Sequence, residues 1–155
     1  MLVKNRPRVL ARVAGLFARR GFNIDSLAVS TTQDEAISRM TVTTTCDEAT
    51  LAQVCKQVGK LHDVVRVLDH TEDAMVEREL CLCKVAAEAA HRAEIVQICD
   101  IFRGDVVDIG NGTVIIQLIG DKEKIDAFVR LMQDYDIQEM VRTGKIVLSR
   151  GVQAT

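Results

Sequence analysis

The fold is most clearly indicated by residues 8–32, which read RVLARVAGLFARRGFNIDSLAVSTT. The first half of this stretch places apolar side chains on one face at helical spacing, at Val9, Val13, Leu16 and Phe17. Gly21 follows, and glycine commonly ends a helix because it accepts left-handed backbone angles. The second half alternates between two sides, with one irregularity near its middle. The stretch therefore predicts a helix followed by a strand.

The pattern extends outward to a complete βαββαβ order and then repeats. A short apolar strand precedes the helix, and a hairpin partner, a second helix and a further strand follow it. A linker at residues 72–76 leads into a second pass, which starts with the alternating strand VERELCLCKVAA and closes with one strand or two short ones. We expect an α+β protein of two ferredoxin-like sandwiches, residues 1–71 and 77–152, each a sheet with helices on one face.

Bulk composition narrows the classes of function. The chain has 155 residues, of which 48% are apolar and 27% are charged, so a packed core is expected and disorder is not. A formal net charge of -2 and 3% aromatic residues do not favour nucleic-acid binding, and no apolar run is long enough to span a membrane. Five cysteines without a paired spacing predict free thiols in a reducing compartment, which we take to be the cytoplasm.

No sequence motif for catalysis or metal binding stands out. Cys81 and Cys83 lie two residues apart on a predicted strand and so share one face, where burial of small side chains explains them. The three histidines are scattered, and none lies at metal-ligand spacing from a cysteine or carboxylate. We therefore expect no catalytic residue, no metal site and no cofactor in this chain. An enzyme that uses Cys81, Cys83 or Cys99 as a thiol is a disfavoured alternative.

The turn before the first helix, KNRPR at residues 4–8, is the best candidate for a binding site. Helix N-termini present unpaired amides and partial positive charge, which suit a carboxylate. Asn5 could cap the helix or hold an amine, and Pro7 is tolerated in a first helical turn because the N–H that it lacks would be unpaired there. The same residues are typical of an ordinary helix start, and composition alone favours that simpler interpretation.

The strings VLARVAGLFARRGFNIDSLAV and SRMT closely resemble the start of the small, regulatory subunits of acetolactate synthase, and VERELCLCKV, IFRGDVVDI and GKIVLSRG resemble later parts of that family. The resemblance implies an ACT domain, which is a βαββαβ amino-acid sensor, followed by the family's second domain. It implies a non-catalytic chain that pairs through its ACT domains and activates the large catalytic subunit. Such a chain conveys feedback inhibition by valine or another branched-chain amino acid, while thiamine diphosphate, Mg and FAD reside on the large subunit.

In that family the effector is bound by an Asn-x-x-Gly loop, the helix start after it, and the strand after the first helix of the paired subunit. The resemblance carries this site over to Asn5, Arg8, Val9 and Leu10 of one subunit and to Asn23 and Ile24 of the other. Helix amides would take the carboxylate, Asn groups the amine, and apolar side chains the aliphatic group. Two features depart from the family: Arg8 stands where glycine is usual, and the first strand is shorter.

A stand-alone amino-acid-binding homodimer of ACT type is the alternative function. It would share the N-terminal half of the chain but would serve some other client. The resemblance of the C-terminal half to the synthase family favours the regulatory subunit over this alternative.

Overall fold

The computed structural model describes residues 1–151, which divide into two compact units. The first unit consists of residues 1–76 together with the segment from residue 144 onward, and the second unit consists of residues 77–143. In the first unit the elements are β1 (Leu2–Lys4), α1 (Val9–Arg19), β2 (Ser26–Thr31), β3 (Ile37–Thr43), α2 (Glu48–Val58) and β4 (Val64–Arg66). Its strands form an antiparallel sheet in the order β2-β3-β1-β4. This is the βαββαβ order that the sequence predicts.

The second unit repeats that order. Its elements are β5 (Met75–Ala86), α3 (Arg92–Ile101), β6 (Asp105–Ile109), β7 (Thr113–Gly120), α4 (Lys122–Met132) and β8 (Ile137–Arg142), with a 3-10 turn at Gln133–Tyr135. The strands are antiparallel in the order β6-β7-β5-β8. A further strand, β9 (Ile146–Ser149), pairs with β5, whose first two residues belong to the first unit. The predicted α+β class is confirmed.

The core of the first unit lies between its two helices and one face of its sheet. Helix α1 buries the apolar face that its sequence predicts, and α2 adds two valines. The sheet contributes Val3 and Met40, which are 0% and 2% exposed. The buried helical residues are Val9, Val13, Leu16, Phe17, Val54 and Val58. Gly21 follows α1 with a φ of 71°, which explains why a glycine stands at this helix end.

The core of the second unit shows strict alternation along β5. Cys81, Cys83 and Val85 are fully buried, whereas Leu82 between them is 38% exposed on the other face. The two cysteines therefore share the buried face, as predicted. Phe128 of α4 packs edge-on against Phe102 with the ring centroids 5.6 Å apart. Twelve residues form this buried cluster, against eight in the first unit, so the second unit has the larger core.

Strand β4 is shorter than the sequence pattern suggests. A strand over residues 63–71 is predicted, but the ladder covers only Val64–Arg66. Beyond it, the Asp69 carboxylate accepts hydrogen bonds from the amide and hydroxyl of Thr71 at 3.0 and 2.6 Å, and His70 Nδ1 lies 2.7 Å from the Asp73 carboxylate. Such local side-chain bonds offer the backbone a turn in place of a ladder.

The chain end resolves an alternative that the sequence left open. Two short strands, β8 and β9, are present where one strand or two were expected. Strand β5 starts at Met75, inside residues 72–76 that the sequence assigns to a linker. Val152, the last residue of the predicted second domain, lies outside the described residues. The predicted domain limits, 1–71 and 77–152, stay a prediction.

Candidate effector site

The turn after β1 is held to the opposite turn of the same sheet. The Asn5 amide donates to the Ala36 carbonyl at 2.7 Å, and the Asn5 side-chain Nδ2 donates to the Glu35 carbonyl at 2.8 Å. The Asn5 side chain thus does not cap α1, contrary to one of the two roles that the sequence suggests. Its Nδ2 is used to join the β1–α1 turn to the β2–β3 turn, which leaves Oδ1 as the atom that can accept from an ammonium group.

Arg8 is the residue that enters helix α1, and its backbone is in the left-handed region with φ 70° and ψ -2°. A residue with a side chain pays about 1–3 kcal/mol for this conformation, which glycine adopts freely. The Arg8 side chain is exposed and makes no capping hydrogen bond to the helix. Arg8 therefore occupies, under strain, a backbone position that favours glycine.

The start of α1 is short of negative charge. Its first turn contains no acidic residue, and the Val9 amide makes only a long 3.4 Å hydrogen bond to the Arg6 carbonyl. Lys4, Arg6 and Arg8 precede it along the chain. The positive end of the helix dipole, with three cationic residues in the preceding turn, is a favourable place for a carboxylate.

Val9 and Leu10 face in different directions. Val9 is 4% exposed and belongs to the core of the first unit, so its side chain is not available to a ligand. Leu10 is 44% exposed and offers an apolar surface beside the helix start. Of the two, Leu10 is the one whose side chain can contact an aliphatic ligand.

Asn23 and Ile24 lie in the segment that leads into β2. The Asn23 Nδ2 donates to the Asp25 carboxylate at 2.5 Å, and the Asn23 carbonyl accepts from the Thr44 hydroxyl at 2.7 Å. Ile24 is partly buried and packs against the core of the first unit. Hydrogen bonds at Asn23 and core packing at Ile24 hold this segment in place. Asn23 is nevertheless exposed, so a ligand could contact it.

The structure does not bring the two groups of predicted site residues together within one chain. Lys4, next to Asn5, pairs with Ile37 at one end of β3, whereas Thr43 at the other end accepts a hydrogen bond from the Asp25 amide at 2.9 Å. Six residues along an antiparallel strand span about 20 Å. Asn5 and Asn23 therefore lie at opposite ends of the sheet, and a single chain does not assemble the site.

Asp63 is a residue near this turn that the sequence pattern does not single out. Its carboxylate lies 2.6 Å from Nη1 of Arg12, and its carbonyl accepts from the Lys4 amide at 2.8 Å. Asp63 is 7% exposed, so this pair fixes the first two turns of α1 against the end of β1. An Asp before a strand is too common in sequences to signal this role by itself.

The three cysteines considered as candidate thiols, Cys81, Cys83 and Cys99, are buried and poorly suited to nucleophilic chemistry. Burial raises the pKa of the Cys83 thiol to about 11, and the neighbouring Cys81 adds to the effect. Burial also raises the pKa of the Cys81 and Cys99 thiols. Because the thiolate is the nucleophile, these groups are weak ones near neutral pH. Among residues 1–151 no group of three or more His, Cys, Asp or Glu could hold a metal ion, and no helix is long and apolar enough to cross a membrane.

The fold and the turn together define a protein of two ferredoxin-like units, the first of which has the form of an ACT domain. Residues 1–66 match the family model described as an AHAS small subunit-like ACT domain, and residues 78–151 match the model described as the small subunit of acetolactate synthase. The two matches together cover most of the chain.

Whole-chain comparisons agree with these matches. The chain is 49% identical to a protein of Archaeoglobus fulgidus named a probable acetolactate synthase small subunit, over 97% of this chain and 94% of that protein. It is 42% identical to the acetolactate synthase small subunit of Mycolicibacterium smegmatis, over 97% of this chain and 89% of that protein. The crystal structure of the Thermotoga maritima small subunit superposes with a TM-score of 0.90 at 38% identity, over 99% of this chain and 96% of that one. The chain belongs to the family of acetolactate synthase small subunits.

Proposed function

We propose that this chain is a regulatory subunit that binds and activates the large catalytic subunit of acetolactate synthase and conveys feedback inhibition by valine. Membership in the small-subunit family supports the partner. The open, electropositive start of α1 is the single observation that supports an amino-acid effector, because a free amino acid always carries a carboxylate. Thiamine diphosphate, Mg and FAD would reside on the large subunit, and the complex would be cytoplasmic.

A homodimer of ACT domains would complete the effector site. Asn5 and Asn23 lie at opposite ends of one sheet, so the two groups can meet only if a second chain supplies one of them. A two-fold pairing that sets the β1–α1 turn of one chain against the start of β2 in the other would form two equivalent sites. The distance within one chain thus supports the assignment of the site to two chains.

Each proposed contact follows from the atoms available. The α1 amides would bind the effector carboxylate, and Asn5 Oδ1 with groups around Asn23 would accept from its ammonium. Leu10 of one chain and Ile24 of the other would enclose an aliphatic side chain, which suits valine, leucine or isoleucine. Arg8 would have to point its side chain away from the turn, as its exposed position permits.

Regulation requires that the effector distinguish two states of the complex. A coupling free energy of about 1–3 kcal/mol between the effector site and the large-subunit contact is typical of such systems. We propose that effector binding between two ACT domains changes how the dimer holds the large subunit. Full-length similarity to small subunits supports this over a stand-alone sensor.

The test is an acetolactate-forming assay of the matching large subunit with and without this chain, titrated with valine. Activation followed by inhibition on adding valine is the expected result. Activation without inhibition by valine, leucine or isoleucine would remove the sensing role. No activation would favour the stand-alone amino-acid-binding homodimer, which direct binding of valine to the isolated chain would then test.

Asn23→Ala tests the site itself. The variant should activate the large subunit fully but require about tenfold more valine for half inhibition, because one polar contact to the effector is lost. Asn111→Ala, an exposed Asn in the second unit, is the matched control and should respond as the unmodified chain does. An unchanged valine response in Asn23→Ala would contradict the role of Asn23.

A further inference from the structure

The chain passes from the second unit back to the first at a single peptide bond, between Thr143 and Gly144. On the second-unit side, Thr143 is anchored to β5: its amide donates to the Leu80 carbonyl at 2.9 Å, and its hydroxyl accepts from the Leu80 amide at 3.0 Å. Two bonds to one residue hold Thr143 in a defined position on β5.

On the first-unit side, Gly144 lies directly against the backbone of β2. A Cβ at this position would meet the Leu27 carbonyl oxygen, the Leu27 carbonyl carbon at 2.5 Å and the Ala28 nitrogen at 2.8 Å. All three are backbone atoms, so no side-chain rotation could relieve the clash. The next residue, Lys145, donates its amide to the Ser26 hydroxyl at 3.4 Å. We call residues 144–149 the strap.

The strap contacts β2, the strand that follows the proposed effector residues Asn23 and Ile24. Ile24 is two residues before Ser26, and the Ser26 hydroxyl also accepts from the Thr43 hydroxyl at 2.9 Å. Thr43 in turn accepts the Asp25 amide at 2.9 Å through its carbonyl. Asp25, Ser26 and Thr43 thus form one short hydrogen-bonded network between the strap and the segment with Asn23.

We propose that the strap is a positioning element for the effector site, with Gly144 as its essential residue. It holds the start of β2 so that residues 23–24 are presented in one conformation. The effector in this inference comes from the proposed function. The contact between the strap and β2 does not depend on it. A residue with a side chain at position 144 displaces the strap from the backbone of β2.

Gly144→Ala tests the proposal, with Gly15→Ala as the matched control. A Cβ at Gly15 meets nothing within 4 Å, so the control adds the same methyl group without displacing anything. Amide hydrogen exchange is measured on the isolated full chain without effector. In Gly144→Ala the amides of residues 23–28 should exchange about tenfold faster than in the unmodified chain, while those of α4 are unchanged. The control should leave both regions unchanged.

The same variants are then assayed with the large subunit. Gly144→Ala should still activate but need about tenfold more valine for half inhibition. Unchanged exchange over residues 23–28, or an unchanged valine response where the unmodified chain responds, would overturn the proposal. If the unmodified chain does not respond to valine, the proposed function fails, and the exchange experiment alone decides whether the strap positions β2.

Ser26→Ala decides the matter if Gly144→Ala does not fold. It removes the acceptor of the Lys145 amide without adding an atom, so exchange over residues 23–28 should rise about threefold. Thr43→Val is its control, because it removes the Thr43–Ser26 bond and leaves the strap contact in place. Equal exchange in the two variants would overturn the role of the strap.

Discussion

The first helix of each unit begins in a different way. Helix α1 is entered through Arg8 at φ 70° and has no acidic residue in its first turn, whereas α3 is entered through His91 at φ -101° and has Glu94 there. A negative side chain in the first turn complements the helix dipole and weakens the attraction for a bound anion. The first unit has no acidic side chain of its own in this first helical turn, whereas the second unit has one.

The second helices of the two units begin alike. Asp47 accepts from the Thr50 amide at 2.8 Å at the start of α2, and Asp121 accepts from the Lys124 amide at 2.9 Å at the start of α4. The second helix of each unit thus has the same capping arrangement. The contrast at α1 and α3 is local to the turn after the first strand of each unit.

Arg8→Glu should have the largest effect, because it places a carboxylate where the effector carboxylate is proposed to bind. We expect half inhibition by valine to need more than about tenfold higher concentration, with activation of the large subunit retained. Arg103→Glu is a matched control: Arg103 is also exposed and in the left-handed region, with φ 53°, but lies in the second unit. Equal loss of the valine response in both variants would remove the distinction between the two units.

Local sequence patterns predict the helices and the order of elements because side-chain periodicity reports directly which face is buried. The spacing of Val9, Val13, Leu16 and Phe17 is an example, and all four are buried. The end of β4 could not be predicted this way. Its residues are strand-like, but side-chain bonds from Asp69 to Thr71 redirect the backbone, and such bonds depend on conformation rather than on periodicity.

The candidate site was only partly predictable. Its location after β1 follows from the helix start, but Asn5 bonds to Glu35, thirty residues away, and no local pattern contains that partner. The left-handed angle of Arg8 has no signal in the local sequence pattern, and only the glycine that the family resemblance implies at this position pointed to it. Asp63 and Gly144 act through backbone approach and tertiary contact, so they become visible only once the strands are paired.

Asp121→Ala should lower the free energy of unfolding by about 1 kcal/mol, because the Lys124 amide loses its side-chain acceptor at the start of α4. Urea denaturation of the chain measures this. Glu123→Ala removes a charge from the same turn without removing the cap, and we expect a smaller loss of a few tenths of a kcal/mol, roughly the value of the dipole term. Equal losses would mean that the charge, not the hydrogen bond, matters.

Arg8→Gly tests the backbone strain assigned to the start of α1. Relief of the left-handed conformation should outweigh the greater freedom of glycine in the unfolded chain and raise the free energy of unfolding by about 0.5 kcal/mol. Arg6→Gly, in the same turn but without a positive φ, should lower it instead. Valine inhibition should strengthen in Arg8→Gly, since the effector then approaches the backbone more closely. A loss of stability in Arg8→Gly would contradict the strain assigned to Arg8.

The smallest predicted effect concerns Asp47, the aspartate cap of α2, which has a counterpart at the start of α4. The backbone hydrogen bond from Thr50 holds the pKa of the Asp47 carboxyl below its usual range, with the Thr50 hydroxyl adding to the shift. A depressed folded-state pKa means that the stabilisation is fully present above the unfolded pKa of about 3.9 and is lost as pH falls through the folded value. Asp47→Asn keeps a good capping side chain but loses the charge.

The variant should therefore be slightly less stable than the unmodified chain at neutral pH, and this deficit should be smaller at about pH 3, below the unfolded pKa, where the stabilisation from the carboxylate is being lost. Urea denaturation at the two pH values measures the difference. Glu72→Gln, an exposed loop acid, reports the general effect of removing one surface charge. If Asp47→Asn differed from the unmodified chain by the same amount at both pH values, the ionised carboxylate would not be what stabilises the start of α2. The likeness between α2 and α4 would then rest on hydrogen-bond geometry alone.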